Sequence, residues 1–210
     1  KAMYKPLYFL FALTLLLSAC SKDEEDPVNE NTAPLSLTEQ EKTDLLFLIE
    51  EEKMARDVYL FSGALYNQNI FQNIPESEQI HMDRIKSLLE KYNLEDPTEG
   101  MGQGEFTNPE IQALYNELTN SSSESLMGAL IAGATIEDLD IADLLSLPAN
   151  TDKEDLISAY EFLVCGSKNH MRGFMNQINS NDGSYTPQYI DEELFNEILQ
   201  SGHESCGQYQ

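Results

Sequence analysis

Glu52, Glu78, His81, Glu137 and His170 are the residues of this chain whose types and spacing could do chemistry. Glu78 and His81 form a Glu-x-x-His pair, and on a helix that spacing projects both side chains to one side. The others interrupt apolar stripes of helical period. One stripe reads Leu45, Leu48, Ile49, then Glu52, then Ala55 and Tyr59; a second reads Leu130, Gly133, then Glu137, then Ile141 and Leu144. A third reads Tyr160, Leu163, then Ser167 and His170, then Phe174. A buried carboxylate is costly, so inward acids on several helices need counter-charges or a metal. Carboxylate oxygens suit iron and manganese, imidazole suits iron and also zinc, and a mixed set with open positions suits redox metals that meet oxygen or peroxide. Two readings stand on these residues alone. One is a metal centre, with iron or manganese expected and zinc a further candidate. The other is a metal-free network in which Glu52, Glu78 and Glu137 hydrogen-bond to His81, His170, Tyr59 and Arg56. Glu50 and Glu51, beside Glu52 in the run EEEKMARDVY, fall on other faces by helical phase. They are expected in solvent, paired with Lys53, Arg56 or neighbours along the helix.

These residues have to be positioned by helices, because strand signals are poor while the 3.6-residue period recurs. The pattern predicts a first helix from about Thr38 to Leu65, capped by Ser36 or Thr38, with Glu41 closing a capping box on Thr38. A second runs from Pro75 to Tyr92, with the proline in the tolerated first turn. After a turn at Gly100 to Gly104 comes a short helix from Pro109 to Leu118. Long helices follow at about Ser123 to Leu145, stopped by Leu147-Pro148, and at Lys153 to Ile178; a short one spans Asp191 to Gln200. The expected fold is all-α: a four-helix bundle with a short extra helix between the second and third long helices and a short C-terminal helix.

The 210 residues carry 37 acidic and 12 basic side chains, for a net charge of −25. That balance argues against nucleic acid, whose phosphates need clustered Lys and Arg. Lys1 and Lys5 precede an apolar run from Leu7 to Leu17, too short to span a bilayer, and then Leu17-Ser18-Ala19-Cys20. The ending resembles a bacterial lipobox, so residues 1–19 are expected to be a lipoprotein signal peptide and Cys20 the lipidated residue. Ser21 after the cysteine favours an outer-membrane lipoprotein of the cell envelope, periplasmic or surface-exposed. Residues 20–37 read as a disordered acidic tether, 38–200 as the bundle and 201–210 as a tail. The expected partners are the membrane, through that lipid, and a second copy of the chain as a homodimer. Cys165 and Cys206 could form one disulfide or stay free. His203, in the tail, is expected in solvent.

The segment Glu52-Lys-Met-Ala55-Arg56-Asp-Val-Tyr59 is similar to the first-helix motif of rubrerythrins, and Glu78-Gln-Ile-His81 to their second-helix Glu-x-x-His. Ala132-Gly133-Ala134-Thr-Ile-Glu137 and Ser167-Lys-Asn-His170 look like the third- and fourth-helix motifs with one Glu lost from each. EEEKMARDVY, SEQIHMDRIKSLLEKY, FTNPEIQALYNEL, IEDLDIADL and GSKNHMRGF more closely resemble an uncharacterised ferritin-like family of bacteria and archaea, from Glu41 to Ile178. The resemblance implies a ferritin-like fold with a two-metal carboxylate site. Its ligands would be Glu52, Glu78, His81, Glu137 and His170, with Tyr59 hydrogen-bonding behind them. Ser167 stands where a carboxylate is expected, and Asp140, one turn past Glu137, would make up part of the loss. A rubredoxin-like Cys-x-x-Cys pair is absent from the sequence. Two functions follow: a lipid-anchored metalloprotein handling iron or reactive oxygen, or a non-enzymatic envelope scaffold that binds a partner.

Overall fold

In a computed structural model, residues 36–207 are described. The expectations about the signal peptide, Cys20 and nearly all of the tether lie outside them. The described chain is all-helical: α1 (Glu39–Leu65), α2 (Asn69–Lys91), α3 (Pro109–Glu124), α4 (Leu126–Ser146), α5 (Glu154–Ser180) and α6 (Glu192–Gln200). A 3-10 turn, Leu147–Asn150, carries Pro148 and separates α4 from α5. None of the described helices is long and apolar enough to cross a membrane.

Local chemistry accounts for four of the six α-helix starts among the described residues. Thr38 caps α1 and forms a reciprocal capping box with Glu41, satisfying two backbone donors at once. Asn108, Ser125 and Asp191 cap α3, α4 and α6 through their side-chain oxygens. The second helix departs from its expected start, since it begins at Asn69 and contains Pro75. Phe71 and Ile74, both buried, extend its inward stripe upstream of the proline. Burying each stabilises by roughly 1.5–3 kcal/mol, which together offsets a helix-interior proline at roughly 3 kcal/mol. The short helix also runs past Leu118 to Glu124, where Ser125 ends it and starts the next.

The helix α1 packs against α2, α3 and α4, while α5 packs against α4, α2 and α6. Two apolar clusters divide the interior. One gathers Tyr59, Ile74, Ile136 and Phe174; the other gathers Leu45, Leu48, Ile85, Leu144 and Leu163, with Leu37 from just ahead of the first helix. On every long helix the candidate ligands lie in sequence between residues of the two clusters. A polar layer therefore sits between two apolar ones, and the apolar layers hold it away from water.

Candidate metal centre

Four helices each bring side chains to this layer. Glu52 comes from α1, Glu78 and His81 from α2, Glu137 and Asp140 from α4, and Ser167 and His170 from α5. All are buried, His170 being the most open at 9% exposed. The ligand-type atoms of Glu52, Glu78 and His81 lie within 4.8 Å of one another, and so do those of Glu78, Glu137 and His170. Glu78 belongs to both groups. Its Oε2 is 2.8 Å from His81 Nδ1 and its Oε1 is 2.9 Å from His170 Nδ1, so it spans the two imidazoles. Glu52 Oε2 lies 3.1 Å from His81 Nδ1, and Glu137 Oε2 lies 3.5 Å from His170 Nδ1.

Proximity here is not the same as pairing. Glu78 Oε1 and His170 Nδ1 are close, yet neither makes an aligned hydrogen bond, and Glu52 Oε1 and Asp140 Oδ1 also lack a partner. Buried polar atoms are seldom left so. Atoms that converge on a shared point, rather than on one another, have the geometry of a ligand set.

The electrostatics point the same way. Burial raises the Glu137 carboxyl to about 7, with the Glu78 charge adding to the rise and His170 opposing it. Burial also raises Glu52, against the pull of His81. Asp140 is pushed well up by burial and by the charges of Glu52 and Glu137. For Glu78 burial is outweighed by the imidazoliums of His170 and His81, which hold it down at about 2. Burial opposes protonation of His170, but Glu78 and Glu137 win and lift it to about 10. His81 rises well above its ordinary value for the same reason, beside Glu52 and Glu78. Without further cations, the two imidazoles thus serve as the counter-charges of the layer.

Surrounding groups fix these side chains. Tyr59 donates to Glu137 Oε1 at 2.5 Å, Ser77 Oγ lies 2.9 Å from His170 Nε2, and the Ser167 hydroxyl hydrogen-bonds to Asp140. The rings of His81 and His170 stack with centroids 5.6 Å apart. Gly166 makes room for this, because a Cβ there would lie 2.4 Å from His81 Nε2.

The structure brings together Glu52, Glu78, His81, Glu137 and His170, with Tyr59, Asp140 and Ser167 around them. Arg56, expected in the hydrogen-bonded network, instead donates to Asp57 Oδ1 and Gln79 Oε1, because it lies on the side of α1 turned toward those residues. The expectation for Glu50 and Glu51 is corrected. Both are buried, at 4% and 1% exposed. Glu50 accepts from Thr107 N at 2.7 Å and Asn108 N at 3.0 Å, holding the start of α3. Glu51 faces Asp143 and Asp140, and burial with those charges pushes its pKa well up. Lys53 is buried as well, donating to Asp57 Oδ2 at 2.6 Å and Gly102 O at 2.7 Å. The physical reason is that α1 is covered on several sides, by α2, α4, α3 and the 100–108 loop, so it has no broad solvent face. Sequence reasoning also missed Ser77, adjacent to Glu78, and Gly166, adjacent to Ser167. A small residue beside each inward motif was the available signal.

Cys165 and Cys206 are joined by a disulfide, with sulfurs 2.10 Å apart. His203 is exposed, as expected.

Comparison with known proteins adds a family. Residues 41–202 match the family described as an uncharacterized protein domain, DUF2202. The chain is 50% identical over 171 residues to the "Uncharacterized protein MJ0754" of Methanocaldococcus jannaschii, across 80% of this chain and 91% of that protein. The crystal structure of hypothetical protein MJ0754 from the same organism matches with a TM-score of 0.79 and 49% sequence identity, over 80% of this chain and 96% of that one.

Proposed function

We infer that this chain, which belongs to the DUF2202 family, is a ferritin-like metalloprotein that binds two divalent metal ions, iron or manganese, for iron or reactive-oxygen handling. The single observation that carries this reading is Glu78 shared between two ligand groups, with unpartnered buried atoms left in both. Glu52, Glu78 and His81 would hold one ion, and Glu78, Glu137 and His170 the other. Charge supports the count. The carboxylates of Glu52, Glu78, Glu137 and Asp140 supply four negative charges, which two divalent ions balance while both imidazoles stay neutral. Bound iron or manganese would supply electron transfer toward oxygen or peroxide.

The residues of the chain do the rest. The apolar clusters on either side exclude water, which strengthens each charge interaction in the layer. Tyr59 keeps its proton, since burial and the Glu137 charge raise its pKa well up, and presents it to Glu137 Oε1. Ser77 holds His170 by Nε2, leaving Nδ1 directed at the carboxylates. The alternative of a metal-free envelope scaffold leaves Glu52 Oε1 and Asp140 Oδ1 without partners. Attachment to the cell envelope through a lipid on Cys20 belongs to the same proposal.

The test is the metal content of untagged protein before and after Glu78→Ala and His81→Ala. Near two iron or manganese ions per chain, lost in both variants, with a spectrum that responds to peroxide, is the expected result. Sub-stoichiometric metal in the wild type would sink the reading. For the anchor, Cys20→Ser is expected to abolish processing and membrane association, and unchanged behaviour of that variant would refute it.

A further inference from the structure

A cavity of about 560 Å³ opens beside the polar layer. Its buried end is formed by His81 and His170, and its outer end by exposed residues of the segment 203–207. That segment follows α6 and is strapped down at several points. Cys206 is bonded to Cys165 on α5. Glu204 pairs with Arg172, its backbone N donates to Asn169 Oδ1 at 2.9 Å and its carbonyl accepts from Asn169 Nδ2 at 3.0 Å. Nearly all of the strap's attachments are thus to α5, the helix that also carries His170. A volume of this size is that of a small-molecule site.

We propose that this cavity is the port through which a small, uncharged polar molecule reaches the Glu/His layer, and that the disulfide-fastened strap sets its width. The inference rests on the metal-centre reading for its purpose, but not for its geometry. Among the described residues the lining carries hydroxyl, amide, imidazole and carboxylate groups and no lysine or arginine. With a net charge of −25 on the chain, anions are disfavoured. The hydroxyls of Ser77 and Ser205 offer hydrogen bonds to a neutral polar guest, and Phe162 adds an apolar wall. Exchange with a dithiol reductant, which is oxidised to its own disulfide as it delivers two electrons and two protons, gives two thiols and releases the strap's covalent fastening, so the port widens.

Two substitutions act in opposite directions. Cys206→Ser unfastens the strap. Gly207→Trp narrows the outer end, and a side chain fits there because nothing lies within 4 Å of the site of its Cβ. Using the full chain loaded with iron(II), the rate of extraction by 1,10-phenanthroline is measured. Access scales with the fraction of molecules that are open, so Cys206→Ser is expected to raise the rate roughly tenfold and Gly207→Trp to lower it. Equilibrium metal content should stay at the wild-type level in both. The full chain stripped of metal gives an independent readout, deuterium exchange at the imidazole C2 of His81 and His170, which proceeds through the protonated ring, read by mass spectrometry, and it should follow the same order. Wild-type rates in both variants and both assays would overturn the port. An unloaded wild type with the predicted order of deuterium exchange would sink the metal reading while upholding the port. Finally, hydrogen peroxide should change the spectrum of the loaded chain while dianionic persulfate does not; an equal response overturns the assignment to uncharged ligands.

Discussion

Tyr59 donates its hydroxyl to Glu137 Oε1 at 2.5 Å, while Glu137 turns its other oxygen toward His170 at 3.5 Å. The phenol therefore orients a candidate ligand without being one. Tyr59→Phe keeps the ring packed against Phe174, whose centroid is 5.2 Å away, and removes this bond with a longer one to Gly133 O at 3.5 Å. Metal affinity is expected to fall by roughly 10–100-fold, the usual scale for losing such a supporting bond. Unfolding should show only a small change, of about 1 kcal/mol. Titration of the stripped protein with manganese(II) checks the first, and denaturant unfolding the second.

Gly166→Ala tests the space behind His81. Its Cβ would lie 2.4 Å from His81 Nε2, so the imidazole must shift. Overpacking of this kind costs roughly 1–3 kcal/mol. We expect that loss of stability together with weakened metal binding, whereas Gly202→Ala, which has nothing within 4 Å, should leave both unchanged. Calorimetry of the two variants, with metal content measured alongside, separates these outcomes.

Acidity should act on the metal-free protein in a definite direction. Groups raised on folding contribute stability at low pH that is lost as pH climbs through their folded values. Glu137, raised from 4.5 to about 7, and His170, raised from 6.5 to about 10, place that loss between about pH 5 and 10. Glu51 and Asp140, also raised, add to it. Glu78 works the other way, its contribution disappearing only as pH falls from 4.5 toward 2. Stripped protein is thus expected to be less stable at pH 8 than at pH 5, and bound metal, which competes with these protons, to close the gap. Urea midpoints at the two pH values, with and without manganese(II), decide the matter.

Lys53 makes a structural prediction. Its ammonium is buried against Asp57 and tethers the loop through Gly102 O and Glu105 O. Lys53→Ala leaves Asp57 with Arg56 as its counter-charge and Gly104 N as a donor, so the loss is that of one charged hydrogen-bonding group, roughly 1.5–3 kcal/mol. A midpoint shift corresponding to less than about 1 kcal/mol, the surface-pair scale, would contradict this account.

By itself the sequence determined the features that depend on near neighbours along the chain. The helical period, the capping box of Thr38 and Glu41, and the inward phase of Glu52, Glu78, His81, Glu137 and His170 all follow from spacings of three or four residues. Tertiary structure decided what depends on which distant segments meet. Glu50 and Glu51 read as surface acids because phase describes only one face of a helix, but α1 is covered on several, and Glu50 is buried by residues 57 and 58 positions away. Pro75 entered a helix interior because Phe71 and Ile74 had a core to join. Cys206 found Cys165 across a separation of 41 residues, which cysteine count alone left open. Burial and long-range pairing are properties of the assembled bundle, since desolvation is imposed by neighbours that no local pattern encodes.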